Sequence, residues 1–205
     1  MELNSLRELY VDELKDLYSA ENQILKALPR MAKAASHTAL KRAFALHERQ
    51  TRAQAKRLER ILRDLGERPG GKKCHGMEGL LEEGKELIGE RPHPDVLDAG
   101  LIAKAQHVEH YEIAGYGTVR TYARLLGYDR HAELLQQTLD EEGETDELLT
   151  GLAESSINVE ASQAEEAMPR PRRRSAAKRT RTGVRQSTRK GARKGTRTGV
   201  RKTAR

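Results

Sequence analysis

Residues 67–93 read ERPGGKKCHGMEGLLEEGKELIGERPH, and this stretch decides the fold. Its prolines and glycines interrupt a chain whose apolar residues otherwise recur at three- and four-residue steps, which is the spacing of amphipathic helices. Within it, only residues 77–88, MEGLLEEGKELI, have the composition of a short helix. A connection of 27 residues is long enough to run the length of a helical bundle.

Two long helices are predicted on each side of this crossover. Before it, the apolar stripes predict a helix over about 3–35, where Pro29 favours a kink or an early stop, and a second helix from an N-cap at Ser36 to Gly66. After it, they predict helices over about 94–126 and 128–154, separated at Gly127. Each pair is joined tightly and is therefore antiparallel. Two hairpins joined by one long crossover predict an all-α, ferritin-like four-helix bundle.

The composition of the 205 residues agrees with a helical protein. Aromatic residues make up 3% and Trp is absent, which argues against a β-sandwich or a β-barrel. No apolar run approaches the roughly 20 residues of a membrane span, and the N-terminus has no signal-peptide character. The single cysteine, Cys74, excludes an internal disulfide framework and favours a cytoplasmic location. For Cys74 we expect a packing role rather than a redox-sensing thiol or a soft-metal contact.

The net charge of +7 combines two segments of opposite sign. Residues 169–205 contain 16 of the 38 Lys and Arg residues and no acid, which leaves 22 bases against all 31 acids in residues 1–168. The body therefore carries about −9 and the tail +16. Apolar periodicity stops near Asn158, and TRTGVR occurs at both 180–185 and 196–201. We predict a folded bundle over 1–157 and a disordered linker and basic tail over 158–205.

The charge of the tail predicts a polyanionic partner, with nonspecific DNA favoured and a nucleoid-associated location as its consequence. The tail contains no aromatic residue, zinc-finger pattern or helix-turn-helix pattern for reading a base sequence. RNA, an anionic membrane, or an inert or back-folded tail are the alternatives. Its composition resembles histone-H1-like tails. The residues predicted to contact nucleic acid are Arg172, Arg173, Arg174, Lys178, Arg179, Arg181, Arg185, Arg189, Lys190, Arg193, Lys194, Arg197, Arg201 and Lys202.

Several ionisable residues stand where the apolar stripes of the four helices call for apolar side chains. A buried carboxylate is costly unless it is paired, hydrogen-bonded or bound to a cation. These residues are therefore candidate metal ligands, although a residue at the edge of a stripe can also reach solvent. They are Glu21, His47, Glu109, Glu112, Glu142 and Asp146.

The candidate ligands also match in height along the helices. In an antiparallel hairpin, residues equally far from the turn lie at one level. Glu21 and His47 average to position 34, beside the first turn, and Glu112 and Glu142 average to 127, which is Gly127 itself. Glu109 and Asp146 match to within one residue in the same way. Carboxylates with an imidazole at mid-length predict a dimetal site for iron or manganese, with zinc as a permissive substitute.

Five stretches of the body carry a resemblance to a known family. LRELYVDELKDLYSAENQILKALPRMAKAA, LKRAFALHERQT, CHGMEGLLEEG, VEHYEIAGYGT and LLQQTLDEEGETDELLTGLAE resemble the YciF-like (YciE/YciF) family of ferritin-like proteins. The resemblance implies a ferritin-like bundle, a homodimer and an association with stress. It also implies a helix-one ligand, a helix-two imidazole, a Glu-x-x-Glu pair on helix three and a helix-four carboxylate, at Glu21, His47, Glu109 with Glu112, and Glu142.

The chain departs from the usual ferritin-like ligand set at two positions. Ferritin-like di-iron sites carry Glu-x-x-His on two of their helices. Here Phe44 precedes His47 by three residues, and Thr145 follows Glu142 by three. The prediction is a partly degenerate carboxylate and histidine site in a stress-associated protein that the tail tethers to DNA. The alternative is a non-enzymatic nucleoid-associated or scaffolding protein with a vestigial metal site.

Overall fold

Six α-helices form the part of the chain that the structure, a computed structural model, describes, which is residues 3–167. Between them the described residues contain one π-helical turn and no β-strand. The helices are α1 Leu6–Ala34, α2 Thr38–Asp64, α3 His75–Glu90, α4 Pro94–Leu125, α5 Asp129–Leu152 and α6 Asn158–Ala167, with the π-helical turn at Ala153–Ile157.

The long helices pair as two hairpins. α1 packs along α2 and α4 along α5, and the hairpins join through contacts of α1 with α4 and of α2 with α5. α3 lies in the crossover and packs against α4 and α1. This arrangement confirms the all-α, ferritin-like four-helix bundle with a short helix in its long connection.

The turn between α1 and α2 differs from the prediction. α1 continues through Pro29 to Ala34, so the early stop is wrong. Ser36 does not cap α2, because its hydroxyl donates to Asp98 of α4 at 2.6 Å. The Asp98 carboxylate also accepts the backbone N–H groups of Ser36 at 2.8 Å and His37 at 2.7 Å. A buried carboxylate from a neighbouring helix thus takes the place of a local cap and ties the turn to α4.

The apolar core consists of two clusters that lie at different heights in the bundle. One contains Leu28, Phe44, Leu101 and Leu149 among others, and therefore lies near the turn between α1 and α2. The other lies towards the opposite end. Buried polar residues lie between the two clusters on α2, α4 and α5, and Glu21 of α1 is buried at the edge of the first cluster. The second cluster contains Tyr10, Leu14, Leu17, Leu58, Ile61, Leu62, Tyr116, Val119, Ala123, Ala132 and Leu135.

Two glycines of α4 allow other helices to approach it closely. A Cβ at Gly115 would lie 2.7 Å from Cδ2 of Leu17 in α1. A Cβ at Gly100 would lie 2.7 Å from Cδ2 of Leu87 in α3. Any larger residue at either position would push the end of the neighbouring leucine side chain away, so α4 packs closely against α1 and α3 at these two glycines.

The folded part extends beyond the predicted boundary at residue 157. The π-helical turn leads directly into α6, and Ile157 and Ala164 are buried. The expectation of a linker over 158–167 is therefore wrong, because small and scattered apolar residues suffice for a helix that packs on α4. The predicted nucleic-acid-binding residues between Arg172 and Lys202 lie outside the described residues. No helix within residues 3–167 has the length and apolar character needed to cross a membrane.

Candidate metal centre

One buried group of potential metal ligands lies at mid-height in the bundle. His47 comes from α2, Glu109 and Glu112 from α4, and Glu142 from α5. One ligand atom from each residue lies within 4.8 Å of the others, and residues 3–167 contain no other group of this kind. None of the four is more than 3% exposed. Four of the six predicted ligands are thus brought together by the fold.

His47 directs one ring nitrogen at the carboxylates. Its Nε2 lies 3.2 Å from Glu109 Oε1 and 4.0 Å from Glu142 Oε2, without the alignment of a hydrogen bond. Its Nδ1 lies 3.4 Å from the Thr145 hydroxyl. Burial lowers the pKa of His47 to about 4, so the imidazole is neutral at physiological pH. A neutral imidazole is the form that binds a metal ion.

The three glutamates of this group resist ionisation in the absence of a cation. Burial, and next the charge of neighbouring carboxylates, raise the pKa of Glu109 and Glu112 well above the ordinary value. Burial raises the pKa of Glu142 to about 7, against the opposing effect of its contact with Glu109. Acids this close together cannot all be charged unless a positive charge lies among them.

The buried polar atoms of the group lack partners in the protein. Both carboxylate oxygens of Glu112 and of Glu142, Oε2 of Glu109 and Nε2 of His47 form no hydrogen bond to any described residue. Each such atom costs free energy, and buried polar atoms in native proteins almost always have a partner. Carboxylate oxygens with one imidazole are a ligand set that suits iron or manganese. The residues present therefore fit a metal ion.

Glu21 of α1 is also fully buried and lies beside the group, although it is not one of the four that converge within 4.8 Å. The Tyr116 hydroxyl donates a hydrogen bond to Glu21 Oε1, while Oε2 has no protein partner. Burial and then the charge of Glu142 raise the pKa of Glu21 well above its ordinary value. Tyr116 thus holds the carboxylate that the sequence predicted as the helix-one ligand.

Asp146, the sixth predicted ligand, is not brought into the group. Its carboxylate accepts a hydrogen bond from Gln106 at 3.0 Å and lies 3.2 Å from Nε2 of His110. The Asp146 side chain is 22% exposed and that of His110 is 68% exposed. Asp146 therefore lies on the outer face between α4 and α5, where His110 faces solvent.

A polar network between α2 and α5 was missed by sequence reasoning. Arg57 donates to both carboxylate oxygens of Glu141 at 2.7 Å and to Thr138 at 3.1 Å. Gln54 donates to Glu141 at 3.1 Å. The network closes the bundle next to Glu142, and the charge of Arg57 favours the ionised form of Glu142 by lowering its pKa. The three-residue spacing of Gln54 and Arg57 is the only signal in the sequence that points to it.

Cys74 serves as a packing residue in the described structure. It is fully buried at the start of α3, and its Sγ accepts the backbone N–H of Met77 at 3.4 Å. The same sulfur lies 2.9 Å from the hydroxyl of Tyr111, which in turn donates to Asp16 at 2.9 Å. These contacts fix the beginning of α3 against α1 and α4.

A four-helix bundle with a long crossover and buried carboxylates facing an imidazole at mid-height defines a ferritin-like protein. The chain belongs to the family described as a domain of unknown function (DUF892), whose model matches residues 5–162. Protein YciF of Escherichia coli strain K12 is 42% identical over 162 residues, which cover 78% of this chain and 98% of YciF.

Solved structures give the same result. The crystal structure of the E. coli stress protein YciF matches with a TM-score of 0.73 at 42% identity, covering 76% of this chain and 99% of YciF. YcfI of Rhodopseudomonas palustris matches with a TM-score of 0.71 at 38% identity, covering 73% and 95%. A protein of Xanthomonas campestris pv. campestris shares the fold with a TM-score of 0.63 at 22% identity, covering 78% and 99%.

Proposed function

We propose that the bundle binds iron or manganese through His47, Glu109, Glu112 and Glu142, with Glu21 as a fifth ligand. The observation that carries this proposal is the convergence of buried ligand atoms that have no protein partner. Free energy lost by burying these acids is recovered when a cation binds among them, because each carboxylate then has an opposite charge in contact. Asp146 is left out, since its partners hold it on the outer face.

Charge favours two metal ions over one. The carboxylates of Glu21, Glu109, Glu112 and Glu142 carry four negative charges when ionised, and two divalent ions neutralise them. A single divalent ion would leave two charges that only protons could cancel. Thr145 and Phe44 replace ligands of the usual set, so the centre has one imidazole and is rich in oxygen.

The biological role that we propose is protection under stress, supported by the similarity to a protein called a stress protein. A bound iron or manganese ion supplies redox chemistry with peroxide or dioxygen. The residues of the chain position and shield it. Thr145 orients His47, Tyr116 holds Glu21, and the two apolar clusters on either side exclude water.

Metal binding is tested on protein treated with chelator and then titrated with Fe²⁺ under anaerobic conditions or with Mn²⁺. Calorimetry should give saturable binding of two ions per chain, and metal should raise the melting temperature. Glu112→Ala combined with Glu142→Ala should abolish both effects, whereas Glu144→Ala, on an exposed position of α5, should change neither. Wild-type protein that binds no metal would favour the non-enzymatic scaffolding protein with a vestigial site.

We further propose that residues 169–205 tether the body to DNA. The support is their 16 positive charges without one acid. Truncation after Met168 should abolish a gel shift of duplex DNA and leave the far-ultraviolet circular dichroism of the body unchanged. Binding by the full chain should weaken by several decades as salt rises from about 50 to 200 mM. An affinity independent of salt would contradict the tether.

We also propose that the chain forms a homodimer. Large apolar side chains of the long helices remain exposed on the single chain, among them Leu46, Leu125 and Leu148. Such side chains are common at the interfaces of homodimers. Sedimentation equilibrium of the chain truncated after Met168 should give twice the mass of one chain, and a monomeric mass at micromolar concentration would contradict the dimer.

A further inference from the structure

A groove on the surface of the bundle lies between α1, α3 and α4. Its cavity volume is about 360 Å³. Aliphatic side chains form its floor, including Met31 of α1, Leu80 and Leu81 of α3, and Val108 of α4. Lys and Glu side chains line its rim. The groove is therefore open to solvent at the top and apolar below.

A second, much smaller cavity lies against the same side chains and extends to the candidate metal ligands. Its volume is about 10 Å³, room for about one water molecule, and His47 and Glu109 form part of its wall. Both cavities are lined by Ala27, Met31, Leu81 and Val108, and we call these four side chains the neck. The neck is the partition between the solvent-filled groove and the buried centre.

His47 shows which way the inner cavity faces. The imidazole is 3% exposed, its Nε2 has no hydrogen-bond partner, and it lines the inner cavity together with Glu109. The remaining wall is aliphatic and comes from α1, α4 and Leu81 of α3. A molecule that passes the neck therefore arrives at the edge of the centre formed by His47 and Glu109.

We propose that the neck is the entrance through which small neutral molecules, of the size of dioxygen or hydrogen peroxide, reach this edge of the centre. The inference rests on the proposed metal centre. The side chains of the neck are apolar and cannot replace the water molecules around an ion. A charged molecule would therefore have to lose its hydration shell to pass, and the free-energy cost of this loss excludes it. The dimensions of the inner cavity exclude anything much larger than a peroxide.

α3 supplies the part of the neck that is easiest to displace. Only Met77 and Gly84 of this helix are buried, and Leu81 is half-buried. The other neck residues belong to α1 and α4, two long helices of the bundle that each bury many residues. Opening the neck therefore requires movement of one half-buried leucine rather than of the bundle. Leu81 is the residue that determines how easily reactants enter.

Leu80 provides a matched control for Leu81. Both are half-buried leucines of α3 that line the groove, but only Leu81 also lines the inner cavity. The probe is nitric oxide, a small neutral ligand that binds Fe²⁺ with a visible absorption change. Full-length protein is loaded with Fe²⁺ anaerobically, its iron content is measured by equilibrium dialysis, and the association rate of nitric oxide is followed by stopped flow.

Leu81→Ala should raise the association rate about tenfold and Leu81→Phe should lower it several-fold, because the packed side chain sets the width of the neck. Leu80→Ala and Leu80→Phe should stay within about twofold of wild type, since that side chain does not touch the inner cavity. Iron content should be equal in all five proteins. Equal rates for the Leu81 and Leu80 variants at normal iron content would overturn the entrance alone. Wild-type protein without iron would overturn the metal centre, and the entrance with it.

Discussion

Glu142→Gln provides a quantitative test of the buried charge, because it replaces a carboxyl by a neutral group of the same shape. The pKa of Glu142 is raised by burial from an ordinary value of 4.5 to about 7. A carboxyl whose pKa is higher in the folded than in the unfolded protein contributes stability that is fully present below the unfolded value of 4.5. This contribution is lost as the pH rises through the folded value of about 7. A difference of 2.5 units corresponds to about 3 kcal/mol.

The substitution should therefore change metal-free stability in a pH-dependent manner. At pH 4 the carboxyl is protonated in both states, and we expect Glu142→Gln to be within about 0.5 kcal/mol of wild type. At pH 8 the variant should be more stable by about 1–3 kcal/mol, the lower figure allowing for an amide without hydrogen-bond partners. With Mn²⁺ present the order should reverse, because wild type gains the binding free energy and the variant loses a ligand.

The assay is urea unfolding followed by circular dichroism, on protein dialysed against chelator, at pH 4 and at pH 8. Glu144→Gln serves as control because it removes an exposed carboxylate two positions away, and it should stay within about 0.5 kcal/mol of wild type at both pH values. If Glu142→Gln destabilised the protein equally at both pH values, the carboxyl would not be a buried charge lacking a cation.

Between pH 6.5 and 8, metal-free wild type should lose about 1 kcal/mol from Glu142, offset by about 0.4 kcal/mol as His47 of the unfolded chain loses its proton, and a net gain in urea stability there would contradict the buried acids. Asp98→Ala should cost about 2 kcal/mol in urea unfolding, because Ser36 and His37 lose their acceptor, and a cost below about 0.5 kcal/mol would refute its capping role. Asp146→Asn should leave the calorimetric affinity for Mn²⁺ within about twofold, and loss of binding would place Asp146 at the centre.

The fold was largely predictable because its signals are local. Apolar periodicity located the four long helices, and the irregular residues 67–93 distinguished a crossover from a tight turn. The end of the bundle was less predictable. α6 has few large apolar residues, so its sequence shows no apolar periodicity that would predict a helix. In the structure this helix packs against α4, and such packing contributes most of the stability of a short helix.

The ligand positions of the candidate site could be predicted only in part from their distances to the turns. Equal distance from the turn correctly predicted that Glu112 and Glu142 lie at one level of the bundle. It does not predict the direction in which a side chain points. Asp146 has the right height and a slightly different helical phase, which was enough to place it against Gln106 on the outer face.

Contacts between helices that are distant in sequence could not be predicted from the sequence alone. The capping of α2 by Asp98 depends on how the turn between α1 and α2 lies against α4, and the pairing of Arg57 with Glu141 depends on how α2 packs on α5. No spacing within one helix encodes such a partner. The same holds for Tyr116, which contacts Glu21 across 95 positions of sequence.

The central claim is that the buried carboxylates and imidazole bind metal, and anomalous diffraction tests it most directly. Crystals grown with excess Fe²⁺ or Mn²⁺ at pH 8 should be measured on both sides of the corresponding absorption edge. We expect anomalous density for two ions within bonding distance of His47 Nε2 and of the carboxylates of Glu109, Glu112 and Glu142, with Glu21 completing the set. No anomalous density among these residues, with metal bound only at exposed acids, would contradict it.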